Sequence, residues 1–156
     1  MPRSADAPAI LILPPVLVGG TLILGFLLHY AVWPVTPLPL IPARVLGVML
    51  FVLAGTLAHF AQTAMKRAGT NIFPTRPALA IVTDGPFRFT RNPLYIAAVG
   101  VYVGVALWVD GLVLILLLVP MILVLHWGIV LPEERYLEAK FGDIYRAYRA
   151  GVRRWL

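Results

Sequence analysis

The sequence predicts an all-α, polytopic membrane protein with four transmembrane helices and a C-terminal amphipathic helix at the membrane interface. Of its 156 residues, 60% are hydrophobic and 13% are charged, against roughly 45 to 50% and 25% in soluble domains. The apolar residues gather in four stretches without a charged residue, at 7–43, 45–65, 92–109 and 111–132. Each stretch can hold a helix that crosses a hydrocarbon core about 30 Å thick, which takes roughly 20 residues. We therefore expect a single membrane domain over 1–156.

The element boundaries follow from the prolines, glycines and charges that flank these stretches. Asp110 and Gly111 alone separate the last two apolar stretches, which predicts a tight helical hairpin. The predicted elements are spans at about 9–33, 44–65, 93–109 and 112–131, a cytoplasmic loop at 66–92 and a cytoplasmic tail at 132–156.

The loop and the tail carry the hydrophilic residues. A loop of more than twenty residues is unusual in so small a protein and is more often functional than idle. In the tail, apolar and aromatic residues recur three or four positions apart with basic residues between them, which predicts an amphipathic helix with a break at Gly142. These residues are Leu137, Phe141, Ile144, Tyr145, Tyr148, Val152 and Trp155.

The basic residues predict the orientation of the protein. If the N-terminus is cytoplasmic, 12 of the 13 Lys and Arg residues lie on the cytoplasmic side, and only Arg44 lies opposite. This asymmetry predicts cytoplasmic termini and attraction to anionic lipid, and we expect no binding to nucleic acid. The small size and the absence of a targeting extension favour a prokaryotic inner membrane. The absence of cysteine excludes disulfides, thiolate nucleophiles and cysteine metal sites, and we expect no metal centre.

Two polar features lie where the predicted helices meet the cytoplasm. Asn92 and Pro93 suit the start of a helix, so they have an ordinary structural interpretation. Glu133 and Glu134 lie at the predicted end of the fourth helix, where two adjacent carboxylates repel each other and oppose the helix dipole. A cation must compensate this charge: Arg88, Arg91 or Arg135 of the chain, or a bound cationic ligand.

A third feature is a group of polar residues inside the predicted spans. Thr56, His59 and Thr63, with Gln62 beside them, lie on one side of the second helix, and His126 precedes Glu133 by two helical turns. A histidine in a membrane helix most often bonds a neighbouring helix. Two histidines at the depth of the carboxylates also fit a polar cavity that opens to the cytosol.

Several short motifs follow one another over about residues 69–154. They are Val82-Thr83-Asp84-Gly85-Pro86-Phe87-Arg88, then Arg91-Asn92-Pro93-Leu94-Tyr95, an apolar hairpin, Glu133-Glu134, and Phe141-Gly142 with Tyr145 and Tyr148. In this order and spacing they resemble the superfamily of isoprenylcysteine carboxyl methyltransferases and phospholipid N-methyltransferases. The first two helices are similar to this superfamily in hydropathy only.

The resemblance implies an integral membrane methyltransferase that uses S-adenosylmethionine. It implies a cofactor pocket at the cytoplasmic helix ends and an acceptor that enters from the bilayer. By position, the cofactor-binding residues of the family correspond to Ile81, Val82, Phe87, Asn92, Pro93, Leu94, Tyr95, Glu133 and Glu134. Two positions depart from the prenylcysteine enzymes: Asn92 replaces a histidine, and Ile129 replaces an arginine assigned to the substrate. The second departure argues against a prenylcysteine substrate.

The residues themselves are compatible with this chemistry. A carboxylate pair gains from binding a cationic cofactor, and Phe87 and Tyr95 offer surfaces for stacking and cation-π contact. Methyl transfer mainly requires positioning in a water-poor site, so no general base is needed for an acceptor that is already deprotonated. His59 and His126 are the candidate bases for other acceptors. The expected acceptor is a lipophilic small molecule or a lipid with a polar reactive head.

Three other interpretations stay open on the sequence. A small multidrug-type transporter would need a charge within the membrane, and every acidic residue lies at or beyond a span boundary. A membrane reductase of the sterol type would need NADPH, whose phosphates could bind the arginines Arg88, Arg91 and those of the tail. A non-catalytic membrane protein would tolerate replacement of the Glu pair and Tyr95. No obligate protein partner is inferred.

Overall fold

The computed structural model describes residues 6–155 of the chain and shows an all-helical protein. No strand occurs among these residues, and the one β-bridge joins Thr90 to Arg153. The helices are α1 (Pro14–Ala31), α2 (Leu40–Arg67), α3 (Pro93–Val109), α4 (Leu112–Leu125), α5 (Leu131–Phe141) and α6 (Asp143–Gly151). A single 3-10 turn, Gly85–Arg88, interrupts the long loop between α2 and α3.

Three helices are long and apolar enough to cross a membrane. They are α1, α2 and the continuous helix Leu112–Phe141, which contains α4 and α5. Helix α3 is also apolar but has only 17 residues. The prediction of an all-helical chain is therefore confirmed for the described residues, with three helices long and apolar enough to cross a membrane, while a count of four spans stays a prediction.

Close packing of α2 against α3 forms one side of the bundle. The two helices approach each other at glycines: a Cβ at Gly47 would lie 2.7 Å from the carbonyl oxygen of Gly104, and one at Gly104 would lie 2.8 Å from that of Gly47. The buried Ala54 contacts α3 in a similar way, since a Cβ at Gly100 would lie 2.9 Å from the Ala54 Cβ.

Helices α4 and α5 are joined without a break, which differs from the predicted end of the fourth helix at residue 131. A π-helical turn, His126–Val130, leads directly into α5. Pro132 has no N–H to donate one turn back, and the carbonyl of Gly128 instead accepts a hydrogen bond of 2.8 Å from the Leu11 N–H. Glu133 and Glu134 thus lie in the first turn of α5, not at a helix C-terminus.

The turn between α3 and α4 is the tight hairpin that the sequence predicts. Asp110 adopts the left-handed conformation (φ 53°, ψ 40°) and is 1% exposed. Its carboxylate accepts hydrogen bonds of 3.1 and 3.2 Å from the Leu38 N–H. Asp110 therefore ties the connection between α1 and α2 to this turn.

The tail folds back against the start of α3. Gly142, with φ 54° and ψ −122°, separates α5 from α6 and changes the chain direction, as the predicted break requires. Tyr145 is 1% exposed, and the Arg91 N–H donates to the Arg153 carbonyl at 2.8 Å. One face of the amphipathic α6 is thus covered by protein, while Ile144 on the other face is exposed.

Candidate functional site

Two cavities adjoin each other at the end of the bundle where α3 begins and α5 lies. The polar cavity has a volume of about 90 Å³ and the apolar cavity about 480 Å³. Glu133, Asn92, Arg91 and Phe87 line both of them. The wall between the two spaces therefore contains a carboxylate, an amide and a guanidinium. The smaller space is called the polar cavity because its lining is the more polar of the two.

The polar cavity gathers six of the nine cofactor-binding candidates from separate parts of the chain. It lies between the long loop, α5 and α6. The six are Ile81, Val82, Phe87, Asn92, Glu133 and Glu134. Further lining residues that were not predicted as cofactor-binding include Arg91, Tyr136, Tyr145 and Tyr148.

The other three candidates line the apolar cavity instead. Pro93, Leu94 and Tyr95 face it from the first turn of α3. Helices α1 and α2 supply the opposite walls, with residues such as Val18 and Ala58. Gln62, half-buried on α2, adds a polar side chain to this lining.

Glu134 is neutralised within the protein. It is 7% exposed, and its Oε1 lies 3.0 Å from the Arg91 Nη1. Arg154 binds the same carboxylate in a fork: its Nε lies 3.0 Å from Oε1 and its Nη2 lies 2.8 Å from Oε2. Of the three arginines that the sequence suggested as compensating cations, Arg91 fills this role, and the tail residue Arg154 is the second partner.

Glu133 has a different environment. It is half-buried, and its Oε2 accepts a hydrogen bond of 2.5 Å from the Tyr95 hydroxyl. Within residues 6–155 no Lys or Arg side chain forms an ion pair with it. The adjacent carboxylates thus differ sharply, because one is held by two arginines and the other faces both cavities without a cation.

Arg91 retains unused hydrogen-bonding capacity in the same wall. Its side chain is 9% exposed, and its Nε is buried with no acceptor among the described residues. A buried donor without a partner carries a desolvation cost. This N–H is therefore a buried donor that the described residues leave unsatisfied in the wall between the cavities.

The loop at the start of α3 is fixed by the tail rather than by a helix cap. Asn92 occupies the position before α3, yet its side chain does not cap the helix. Its Nδ2 instead donates to the Arg154 carbonyl at 3.0 Å. Tyr148 donates its hydroxyl to the Phe87 carbonyl at 2.8 Å, and burial raises the pKa of this phenol, so it stays a donor.

The two candidate bases lie away from these cavities. His59 is exposed on α2 and contacts Phe60 edge to face. His126 packs against the rings of Trp127 and Trp155, with centroids 4.9 and 5.9 Å apart. Within the described part of the chain, neither histidine lines the polar or the apolar cavity. Of the polar residues grouped with them on α2, Gln62 is the one that lines the apolar cavity.

The fold and the site define a small helical protein of membrane type with a carboxylate between a polar and an apolar cavity. The phospholipid methyltransferase family model matches residues 42–144, and the chain belongs to that family. This family is part of the superfamily of isoprenylcysteine carboxyl and phospholipid methyltransferases, which are membrane methyltransferases. The match begins at Pro42, within the first turn of α2, and ends at Ile144, before the segment that contains Arg154.

One curated relative comes from Haemophilus influenzae and is described as an uncharacterized protein. It is 38% identical over 63 residues, which are 40% of this chain and 100% of the relative. No solved structure matches the chain significantly.

Proposed function

We propose that the protein transfers a methyl group from S-adenosylmethionine to a lipophilic acceptor, in the manner of isoprenylcysteine carboxyl methyltransferases. The observation that supports this most strongly is that Glu133 lines two adjoining cavities of different size and polarity. The polar cavity, at about 90 Å³, is smaller than a typical ligand pocket of roughly 300 Å³ or more. A cofactor with two cationic groups would therefore occupy it in part and extend past the Glu133 carboxylate into the adjoining cavity. An acceptor with a hydrophobic body suits the larger apolar cavity.

The chemistry of the polar cavity fits the cofactor. S-adenosylmethionine carries a sulfonium, an ammonium and a carboxylate, so it needs partners of both signs. Glu133, which has no cationic partner within residues 6–155, suits a positive group. The unpartnered Arg91 Nε suits a carboxylate. Ile81, Val82 and Phe87 supply apolar surface for the adenine.

The apolar cavity supports a lipophilic acceptor, which is the finer part of the proposal. Its walls come from α1, α2 and α3, and two of these helices are long and apolar enough to cross a membrane. A molecule that lies in the bilayer with its polar head at this depth would place that head beside Asn92 and Glu133. Gln62 offers a further hydrogen bond to the head.

When bound, S-adenosylmethionine supplies an electrophilic methyl group that an acceptor atom takes by in-line displacement. The chain's own residues then have three tasks: they bind the two reactants, orient them and exclude water. The Tyr95 hydroxyl donates a hydrogen bond to Glu133 Oε2, and this bond fixes the direction of the carboxylate. An acceptor that is already deprotonated needs no base, in keeping with the distance of His59 and His126 from the cavities.

A reductase with a nicotinamide cofactor is the second candidate, because its phosphate groups would need arginines near the site. Arg91 and Arg154 are engaged by the carboxylate of Glu134, whereas Arg76 lines the polar cavity without an ion pair among the described residues. Competition by NADPH therefore distinguishes the two candidates. The basic residues of the loop and the tail support placing this end in the cytoplasm, and we extend the proposal to a prokaryotic inner membrane.

The test is equilibrium binding of radiolabelled S-adenosylmethionine to the full chain in lipid nanodiscs. Glu133→Gln removes one charge and keeps an acceptor for the Tyr95 hydroxyl. We expect the affinity to fall about 10- to 100-fold, since a charge-assisted contact is worth about 1.5 to 3 kcal/mol. Glu138→Gln is the matched control, because Glu138 also lies on α5 but pairs with the exposed Arg149.

Binding at micromolar concentration that Glu133→Gln weakens, that Glu138→Gln leaves unchanged and that NADPH does not displace would support the proposal. A folded wild-type sample that does not bind the cofactor would refute it. Displacement by NADPH would refute it in favour of the reductase. Equal affinity of wild type and Glu133→Gln would remove Glu133 from the binding site.

A further inference from the structure

We infer that Arg154 is a positioning residue, and that the segment 152–155 holds the binding wall in its working geometry. We call this segment the tail clasp. The inference rests on the proposed function and extends it to a part of the chain beyond the family match, which ends at residue 144. Two sets of contacts and their consequences for the binding wall support it.

The tail clasp first binds three consecutive residues that precede α3. The Arg91 N–H donates to the Arg153 carbonyl at 2.8 Å. The Thr90 hydroxyl and the Asn92 Nδ2 both donate to the Arg154 carbonyl, each at 3.0 Å. These bonds, together with the bridge between Thr90 and Arg153, attach the clasp to the loop as a short strand pair would.

The side chain of Arg154 then connects this loop to α5. Its fork of two N–H groups binds both oxygens of Glu134, which also pairs with Arg91. The hydrogen bonds to Glu134 raise the pKa of the Arg154 guanidinium further, so it stays charged. A planar fork fixes the direction of a carboxylate as well as its charge.

Two ligand-facing groups depend on this arrangement. The bond from Asn92 Nδ2 to the clasp leaves the Asn92 Oδ1 as the free acceptor of that carboxamide, and within residues 6–155 no donor bonds it. Arg91 is held by Glu134 at Nη1, while its Nε has no partner in the same residues. Both side chains line both cavities.

The clasp also makes Glu133, rather than Glu134, the carboxylate that is available to a ligand. Because both arginines bind Glu134, Glu133 is the carboxylate of the wall that has no cation in direct contact among residues 6–155. Without Arg154, Glu134 would keep one arginine and would have to satisfy its second oxygen elsewhere in a buried position. Arg91 and Glu134 would then be free to rearrange beside the site.

The experiment compares Arg154→Gln with Arg153→Gln in the full chain in nanodiscs. Arg153 is the matched control, because it is the adjacent residue and its side chain is exposed. Two quantities are measured: the affinity for radiolabelled S-adenosylmethionine, and amide hydrogen exchange over residues 90–96 without ligand. The exchange measurement reports how well the Arg91 N–H is protected by its hydrogen bond to the clasp. This measurement does not require the cofactor.

We expect Arg154→Gln to weaken cofactor binding about 10- to 100-fold, by analogy with the loss found when the hydrogen-bonding partner that orients a metal ligand is removed. We also expect faster exchange at Arg91, with both quantities unchanged in Arg153→Gln. Arg154→Lys keeps the charge without the fork, and its affinity should lie between those of wild type and Arg154→Gln. The double variant Glu134→Gln/Arg154→Gln leaves the buried Arg91 without a counter-charge, so it should recover neither melting temperature nor affinity.

If the wild-type protein fails to bind the cofactor, the proposed function is overturned. The exchange result would still test whether the clasp holds residues 90–96. If wild type binds and Arg154→Gln binds equally well, the positioning role is wrong. Recovery of affinity together with melting temperature in the double variant would assign Arg154 a role in stability alone and would also overturn the inference.

Discussion

The two ends of the helical bundle both bury a carboxylate, and they satisfy it in opposite ways. At the hairpin end, Asp110 is bonded by the backbone N–H of Leu38. At the site end, Glu134 is bonded by the side chains of Arg91 and Arg154. Its neighbour Glu133 receives one hydrogen bond, from the Tyr95 hydroxyl.

The difference separates a structural carboxylate from a binding carboxylate. A backbone N–H close in space is a permanent partner, so Asp110 contributes to stability whether or not a ligand is present. Glu134 is bound by arginine side chains, which are long and can adopt other rotamers. These side chains must therefore be held in position by their own contacts. Glu133, on the boundary of two cavities and without a cation in the described residues, is the group whose charge a ligand would satisfy.

The largest expected effect on stability comes from the ion-paired residue at the site end. Glu134→Gln removes the counter-charge of Arg91, whose side chain is 9% exposed, and of Arg154. Loss of one member of a buried ion pair costs about 3 to 5 kcal/mol. We expect the free energy of unfolding in detergent, measured by urea titration, to fall by about 3 kcal/mol because Arg154 is partly solvated.

Glu138→Gln is the control for this change. It breaks the exposed pair with Arg149, and exposed pairs contribute less than about 1 kcal/mol. Equal losses in the two variants would mean that burial does not distinguish Glu134 from a surface carboxylate, and the comparison of the two ends would fail.

A smaller effect is expected at the hairpin end. Asp110→Ala removes the acceptor of the Leu38 N–H and places alanine in the left-handed conformation, which only a few residue types tolerate. The two losses together amount to about 2 kcal/mol of unfolding free energy. The affinity for S-adenosylmethionine should not change, because Asp110 lies in the turn at the opposite end of α3.

Asp110→Asn provides the matched comparison, since asparagine accepts the same hydrogen bond and tolerates the same backbone conformation. We expect it to lose less than half as much unfolding free energy as Asp110→Ala. A marked loss of cofactor affinity in either Asp110 variant would contradict the division between a structural end and a binding end.

The smallest effect on stability is expected at Glu133. Glu133→Gln keeps the acceptor for the Tyr95 hydroxyl and removes a charge that no cation compensates within residues 6–155. The free energy of unfolding, measured by urea titration, should therefore stay within about 0.5 kcal/mol of wild type or rise slightly. A stability loss as large as that of Glu134→Gln would show that both carboxylates are structural.

The sequence anticipated the broad form of the site but not its internal pairing. The need for a cation beside the Glu pair was visible in the sequence, and Arg91 was among the expected partners. Arg154 was not, because nothing in the spacing of the tail distinguishes it from Arg146, Arg149 or Arg153. Similarly, Asn92 looked like a helix cap, whereas its side chain bonds the tail instead.

The continuation of the fourth helix past Pro132 was also not predictable from spacing. Proline usually ends or kinks a helix because it lacks an N–H. Here a π-helical turn precedes it, and the Leu11 N–H, more than a hundred residues away in the chain, bonds the Gly128 carbonyl. A contact of this kind depends on where the first segment lies after folding.

What the sequence by itself determined are the properties that each segment expresses locally. Long apolar stretches form helices suited to a membrane, Asp110 and Gly111 form a tight turn, and Gly142 breaks the tail. The tertiary structure decided which charges meet. Gly142 turns α6 back toward α3, so that Arg154 reaches Glu134 and leaves Glu133 on the cavity wall. Hydropathy acts over neighbouring residues, whereas an ion pair depends on the three-dimensional path of the chain between its partners.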